Sequence, residues 1–312
     1  MAQGERSRPM SGAQLLESHA GKRPATSTMS GSLSSTRLLH IVQRAIIYGI
    51  LIGGLAIVLF PLAWMLSASI KPKSEIFAYP PIWFPSTPLF SNYPKGLETM
   101  RFPMALRNTL LIAVPSMIGQ VVSCSLVGYG LARFRFPGRD ALFILVLATL
   151  MLPSQVTLIP TFVIFSRLHM VDTFWPFWLP AWTATSGFNI FLFRQFFLTI
   201  SPELEDAARI DGAGPLSIFL RIFLPLSKPV LATVAMFAFL FYWNDFFGPL
   251  IYLPSLEHKT LQLMLMNFQQ FYTTDWGPMM AAMVVIIIPP LLIYFFAQRL
   301  FIQGVVFTGI KE

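Results

Sequence analysis

The sequence predicts an all-α membrane protein with six transmembrane helices. Only 12% of its 312 residues are charged, 55% are apolar, and the mean hydropathy is +0.64. Soluble domains carry about 25% charged residues, so the composition alone indicates a membrane protein. A helix crosses a bilayer with roughly 20 apolar residues. The long stretches without charge fit such helices, whereas barrel strands would alternate in short segments.

The gaps between charged residues locate six spans, at about 45–69, 108–132, 141–166, 173–197, 229–253 and 277–298. Basic residues then set the orientation. If the N-terminus is cytoplasmic, the inner segments hold 15 of the 22 Lys and Arg residues and the outer segments hold 7. This bias predicts that both termini are cytoplasmic. The net charge of +8 is therefore a topology signal in a lipid-embedded chain, and we expect no nucleic-acid partner.

Residues 1–36 are rich in Ser, Gly, Thr and Arg and are predicted to form a disordered cytoplasmic tail before a permease domain at 37–312. A cleaved signal peptide is the alternative, but the first apolar run is about twice the usual length, so a retained span is favoured. The loop at 71–103 holds seven prolines and is predicted to be irregular.

Metal and redox chemistry have little support. The one cysteine, Cys124, lies within the second span, and the four histidines have no ligand-like spacing. No metal site and no catalytic residue are predicted. The chain also has no G-x-x-x-x-G-K-[ST] motif, so the energy for any transport must come from a gradient or from a partner.

Carboxylates are concentrated at 203–214, "ELEDAARIDGAG", which holds four of the fourteen acids in the chain. Ser201 can cap a helix that starts at Pro202, with Glu203 at the positive end of its dipole. Glu205 and Arg209 stand four residues apart, in the favourable order. An apolar stripe follows the helical period at Leu204, Ala207 and Ala208.

The residues Asp211-Gly212-Ala213-Gly214 are expected to end this helix, because glycine tolerates positive φ. Pro215 opens a second helix that ends at Pro225, with an apolar face of Leu216, Phe219, Leu220 and Phe223. A helix lying among lipid headgroups is one interpretation, but such helices present Lys and Arg to the lipid. The acidic first helix instead favours a protein partner with a complementary groove.

The stretch 206–225, "DAARIDGAGPLSIFLRIFLP", resembles the signature loop of permease subunits from ATP-binding-cassette (ABC) importers. That pattern is Glu-Ala-Ala, two residues, Asp-Gly-Ala, five residues, Phe, two residues, Ile, one residue, Leu-Pro. Nine positions match: Ala207, Ala208, Asp211, Gly212, Ala213, Phe219, Ile222, Leu224 and Pro225. Asp206 replaces the Glu, which keeps the charge but shortens its reach. The segments 241–253 and 301–312 are similar to the maltose-type, sugar-importing branch.

The resemblance implies a type I importer permease fold and a location in the cell (inner) membrane. It implies that the cytoplasmic loop 199–228 inserts into a cleft of an ATPase subunit. The expected contacts are Glu203, Glu205, Asp206, Ala207, Ala208, Asp211, Gly212, Ala213, Phe219 and Pro225. It further implies a second permease, two ATP-binding subunits that hold ATP and Mg, and an extracytoplasmic solute-binding protein. No cofactor is expected in this chain.

Polar residues within the spans are candidates for the solute pathway. Trp243, Asn244 and Asp245 interrupt the fifth span, and a charge in a span suggests a pathway or a partner by default. Asp245 could equally cap a kink beside Gly248, whereas for Trp243 burial against a neighbouring helix is favoured over stacking on a sugar face. Weaker candidates are Asn189, Gln155 and Gln120.

Several solutes and two other protein classes remain open at this stage. The importer hypothesis allows a sugar, glycerol-3-phosphate or a polyol. A gradient-driven carrier would need paired intramembrane ionisable groups or related halves. A membrane-embedded enzyme would need convergent acids or a metal site. The chain shows neither pattern, so an importer subunit without catalysis of its own is the leading hypothesis.

Overall fold

The computed structural model describes residues 32–268 and 274–306. The helices are α1 (Ser32–Ser69), α2 (Lys73–Ile76), α3 (Asn92–Thr99), α4 (Phe102–Arg133), α5 (Arg139–Ala148), α6 (Ser154–Arg167), α7 (Trp175–Trp182), α8 (Gly187–Thr199), α9 (Pro202–Ile210), α10 (Pro215–Ile218), α11 (Leu224–Leu226), α12 (Lys228–Trp243), α13 (Phe247–Tyr252), α14 (Leu261–Met264) and α15 (Trp276–Val306). Short 3₁₀ segments cover Thr149–Met151, Leu256–His258 and Leu265–Phe268, and a π-helix covers Phe219–Phe223. No strand occurs in these described ranges.

By its internal contacts the chain divides into residues 1–61 and residues 62–312. The described part of the first unit is helical and belongs to α1, with apolar side chains exposed from Ile41 to Phe60. Residues 1–31 of the predicted tail at 1–36 lie outside the described residues. Its last five residues, 32–36, belong to α1.

Three helices are long and apolar enough to cross a membrane: His40–Ser69, Phe102–Arg133 and Trp276–Gln298. They coincide with the first, second and sixth predicted spans. Two bent helix pairs, Arg139–Met151 with Gln155–Arg167 and Pro215–Leu226 with Lys228–Trp243, raise the number to five if each pair is one span. The described residues therefore give three to five spans by length and composition.

The fourth predicted span, 173–197, is broken in the structure into α7 and α8. Thr183 and Thr185 donate their hydroxyls to carbonyls at the end of α7, and Ser186 caps the start of α8 by accepting from the Asn189 amide. Ala184 between them has a φ of 53°. Hydroxyl side chains thus satisfy the backbone on both sides of the break, which removes the need for one continuous helix.

Two apolar clusters form the core of the second unit. The first surrounds Trp243 and includes side chains of α4, α7, α12, α14 and α15. The second surrounds Tyr129 near the end of α4 and includes Phe193 and Phe197 of α8 and Phe219 and Phe223 of the π-helix. The Tyr129 ring lies 4.9 Å from the Phe223 ring and 5.2 Å from the Phe219 ring. This second cluster supports the 199–228 loop.

The loop between α1 and α4 contains more regular structure than the sequence predicts, namely α2 and α3. Asn92 is buried and donates to the carbonyls of Ser69 (3.0 Å) and Lys71 (3.2 Å). α3 packs against α15, where a Cβ on Gly96 would lie 2.4 Å from the Pro278 carbonyl oxygen. Backbone therefore lies directly against backbone at this point.

Candidate functional site: the 199–228 loop and an intramembrane cavity

The first helix of the 199–228 loop forms as its sequence predicts. Ser201 caps α9 by accepting a hydrogen bond from the Glu203 amide (3.3 Å), and Pro202 occupies the first turn. The helix ends at Ile210, and Gly212 follows with a φ of 80°. The Ala213 amide donates to the Ala208 carbonyl (2.9 Å). This αL turn satisfies the carbonyls that the end of the helix leaves free.

The second helix is less regular than the single helix expected from Pro215 to Pro225. It consists of α10, the π-helix at Phe219–Phe223 and α11, and then bends by 81° into α12. The extra residue per turn of a π-helix places both phenylalanines at its ends in the core, where Phe219 is 4% exposed and Phe223 is fully buried. The other predicted apolar positions, Leu216 and Leu220, are exposed.

Glu205 is the exception among the four acids of this loop, because its side chain is buried in the chain. One carboxylate oxygen lies 2.6 Å from an Arg209 nitrogen, and the other lies 3.8 Å from Arg133 Nε. The acids Glu203, Asp206 and Asp211 are all exposed. The side chains of Glu205 and Phe219 are enclosed by this chain, and their predicted contact with an ATPase stays a prediction.

The remaining residues predicted to contact an ATPase are accessible. Ala207, Gly212 and Pro225 are exposed with the three acids, and Ala208 and Ala213 are partly exposed. Ile210, the last residue of α9, is 86% exposed and is followed directly by Asp211; the sequence pattern did not mark it. Exposed apolar side chains beside small residues and free acids give a surface that suits a protein partner.

A cavity of about 860 Å³ lies among α4, α7, α8, α12 and α13 of the second unit. A hydrogen-bonded chain of side chains runs along it: Asn189 donates to Gln120 (2.8 Å), and Gln120 donates to the Tyr242 hydroxyl (3.3 Å). Thr185 and Ser186, in the break between α7 and α8, also line the cavity. Asn189 and Gln120 were weak candidates from the sequence, and Tyr242 was not predicted.

Asp245 caps a break, which was one alternative left open by the sequence, and it also lines this cavity; its role in a solute pathway stays a prediction. Its carboxylate accepts a hydrogen bond from the Gly248 amide (3.1 Å), at the start of α13. Among the described residues that line the cavity, Asp245 carries the only charge. The cavity therefore combines uncharged hydrogen-bonding groups, aromatic faces and one carboxylate.

Trp243 and Asn244, also predicted to line the solute pathway, lie elsewhere. Trp243 is 1% exposed and its ring stacks on Phe239 with centroids 5.3 Å apart. Asn244 is exposed and its amide donates to the Leu240 carbonyl (2.9 Å) at the end of α12. The first residue is part of the core and the second caps a helix. Neither belongs to the cavity lining.

Asp172 joins the α6–α7 turn to the segment after α13. It accepts hydrogen bonds from the Ser255 amide (3.2 Å) and hydroxyl and pairs with His258 Nδ1 (3.1 Å). Burial raises the pKa of the Asp172 carboxyl, but the bonds from Ser255 and His258 outweigh it, so this pKa lies below its ordinary value. Within the described ranges, no group of three His, Cys, Asp or Glu side chains could hold a metal ion.

Residues 124–306 match the family described as the binding-protein-dependent transport system inner membrane component. The chain belongs to this family. It is a permease subunit of an ABC importer, a class of membrane transport component without an enzymatic activity of its own. Membership decides between this class and the gradient-driven carrier or transferase that the composition alone left open, and it confirms the resemblance seen in the 206–225 stretch.

Relatives match over most of the chain. A probable ABC transporter permease protein, YurM, of Bacillus subtilis is 31% identical over 81% of this chain and 83% of its own length. The sn-glycerol-3-phosphate transport system permease protein UgpE of Escherichia coli is 35% identical over 82% of this chain and 93% of its own.

A crystal structure of a bacterial ABC transporter involved in the import of the acidic polysaccharide alginate shares the fold. Its matching chain superposes with a TM-score of 0.73 at 26% identity, and the match covers 86% of this chain and 98% of that chain. The type I importer permease fold is thereby confirmed.

Proposed function

We propose that this chain forms half of the translocation pathway of an ATP-driven importer for a neutral carbohydrate. A second permease supplies the other half, two ATP-binding subunits hold ATP and Mg, and an extracytoplasmic binding protein delivers the solute. The chain crosses the membrane six times with both termini in the cytoplasm. The distribution of Lys and Arg supports this orientation, which places the 199–228 loop on the ATPase side.

The observation that carries the mechanism is the exposed face of α9 and its turn. A helix capped by Ser201, ended by Gly212 and bearing exposed Ala207, Ile210 and Asp211 offers a compact, partly apolar projection. Such a projection can enter a groove of a partner, as amphipathic helices do. When the ATPase subunits close on ATP, they then move this loop, and the loop moves the membrane helices that line the cavity.

The cavity lining supports a neutral solute. Sugars are held by several hydrogen-bonding groups beside aromatic faces. The cavity offers Gln120, Asn189 and Tyr242 in one connected chain, with Phe177 and Phe241 among its walls. Asp245, the one charged residue in the described part of the lining, would repel a phosphate or a uronate rather than bind it.

Glycerol-3-phosphate is the second candidate, because the Escherichia coli relatives at 35% identity are named for it. That assignment would require the second permease to supply the basic groups, since the lining described in this chain carries a carboxylate instead. The two solutes differ in charge, so one measurement separates them.

The test is reconstitution of the complete importer in proteoliposomes, with radiolabelled solutes offered through the cognate binding protein. We expect ATP-dependent uptake of a neutral mono- or oligosaccharide and retention of that sugar by the binding protein. Uptake of glycerol-3-phosphate in its place would show that the neutral-solute proposal is wrong. Uptake that needs only a proton or sodium gradient would contradict the energy source.

A further inference from the structure

The Arg133 side chain lies where four helical segments meet, at the last residue of α4. Its guanidinium donates to the carbonyls of Phe197 (2.6 Å) and Ile200, at the end of α8. Its Cζ stands 4.7 Å from the Phe223 ring centroid in the π-helix. Only 8% of the side chain is exposed.

Glu205 supplies the fourth segment, α9, and the charge that balances Arg133. Its carboxylate is 6% exposed and is shared between Arg133 of α4 and Arg209 of its own helix. Removing one partner of a buried ion pair leaves an uncompensated charge, which is costly. Movement of α9 away from the end of α4 would separate this pair and carry that cost.

The membrane helices α4 and α8, which meet at Arg133, also carry polar side chains that line the cavity. Gln120 of α4 and Asn189 of α8 are hydrogen-bonded to each other at the cavity wall. The axial rise from residue 120 to residue 133 of α4 is about 20 Å. A displacement of α9 reaches the cavity along a rigid helix, provided that α9 and the end of α4 move together.

We infer that Arg133 and Glu205 are positioning residues that transmit movement of the 199–228 loop to α4 and α8. Glu205 thus acts inside the chain rather than against the ATPase. The inference rests on the proposed function, because it assumes that an ATPase subunit moves the loop. It goes beyond that function by naming the contact through which the movement reaches the solute cavity.

The experiment uses the complete importer in proteoliposomes and two readouts. Docking of the loop is measured by cross-linking an Ala207→Cys thiol to the ATPase; the native Cys124 is buried and is the chain's only other cysteine. Coupling is measured as the ratio of solute transported to ATP hydrolysed, with both rates normalised to the amount of assembled complex. The variants are Glu205→Gln, Arg133→Gln, the double variant, and Arg133→Lys, which keeps the charge if the glutamine variant fails to assemble.

Arg209→Gln is the matched control. Arg209 is nearer to Glu205 than Arg133 is, at 2.6 Å against 3.8 Å, but it lies on α9 itself and is half exposed. If the carboxylate needed only charge balance, loss of Arg209 would do the greater damage. If the pair transmits movement between helices, loss of Arg133 does.

We expect transport per ATP to fall about tenfold in Glu205→Gln and Arg133→Gln, a typical coupling effect, with cross-linking retained. Arg209→Gln should change it less than about twofold, and the double variant should be no worse than either single one, as for contacting residues. An unchanged ratio with intact cross-linking would overturn the inference and leave loop docking standing, as would a larger effect of Arg209→Gln. Lost cross-linking in Glu205→Gln alone would show that the pair only shapes the loop. Absence of any cross-link in the Ala207→Cys background would instead contradict the proposed docking and, with it, this inference.

Discussion

The 199–228 loop and the intramembrane cavity each contain a carboxylate that the chain partly encloses. The two carboxylates differ in the groups that surround them. Glu205 has two arginines within 4.0 Å and faces away from solvent. Asp245 has a backbone amide of α13 as its hydrogen-bond partner and faces an 860 Å³ cavity. A fully paired charge fastens elements together, whereas a charge that lacks a cationic partner remains able to meet a solute. The partners of each acid, more than its place in the sequence, indicate its role.

The largest change in uptake should come from Gly212→Val in the turn of the loop. Gly212 has a φ of 80° and open space where a Cβ would stand, so valine would introduce backbone strain without a clash at that atom. A left-handed residue costs about 1–2 kcal/mol, and we expect uptake to fall by about tenfold or more while the chain still inserts and the partner ATPase still hydrolyses ATP.

Gly214→Val is the matched control, because Gly214 also has open space but an ordinary φ of −74°. It should retain most of the transport activity, measured in membranes that contain all partners. Near-normal uptake by Gly212→Val would argue against the loop as the coupling element. That result would also remove the functional difference between the loop and the cavity.

A smaller effect is expected from Asp245→Asn on the cavity side. Asparagine can still accept a hydrogen bond from the Gly248 amide, so this change removes the charge and keeps the cap. Hydrogen bonds to charged groups exceed neutral ones by about 1 kcal/mol, and sugar uptake at low concentration should fall about fivefold. Asp275→Asn, in an exposed pair with Lys73, is the control and should leave uptake unchanged. If Asp245→Asn instead gained uptake of an anionic solute at no cost to sugar, the charge would act only as a filter.

The smallest effect is expected from a change at Asp172. Its carboxylate is paired outside both the 199–228 loop and the cavity. Because its pKa is depressed in the folded chain, its contribution to stability is present at neutral pH and is lost as the pH falls below the ordinary aspartate value of about 3.9. Asp172→Asn should therefore lower the Tm in detergent by about 2 °C at pH 7, as for a partly exposed pair. The difference should close in acid. A gap that persists well below pH 3 would show that the carboxylate acts by shape rather than by charge.

The fold was readable from the sequence where apolar length decides the structure. The gaps between charges located α1, α4 and α15 because a bilayer-spanning helix needs little more than about 20 apolar residues. The break at 183–186 was not readable, and the break at 244–246 was predicted only as one alternative, a kink capped by Asp245. Both breaks depend on Ser186 and Asn244 satisfying backbone groups locally, and in an apolar run these residues look like ordinary interruptions.

The candidate site shows the same limit. Four acids within twelve residues look alike in one sequence, and the helical start, end and cap of α9 follow from local rules. The burial of Glu205 follows from Arg133, a residue on a different helix. Long-range pairing of this kind leaves no mark in spacing. Tyr242 was missed for a related reason, since an aromatic residue in an apolar span reveals a polar role only when its hydroxyl finds Gln120.

At Gly96 and Pro278 the backbones of α3 and α15 meet with no side chain between them, and the Asn92 side chain of α3 lies against Gly277 beside that point. Two surfaces joined through backbone atoms have no compressible layer, so they shift as one piece or separate completely. Through α3, the loop between α1 and α4 is therefore packed rigidly against the last membrane helix. A displacement of α3 would therefore reach the start of α15 directly, at the opposite end of α4 from Arg133.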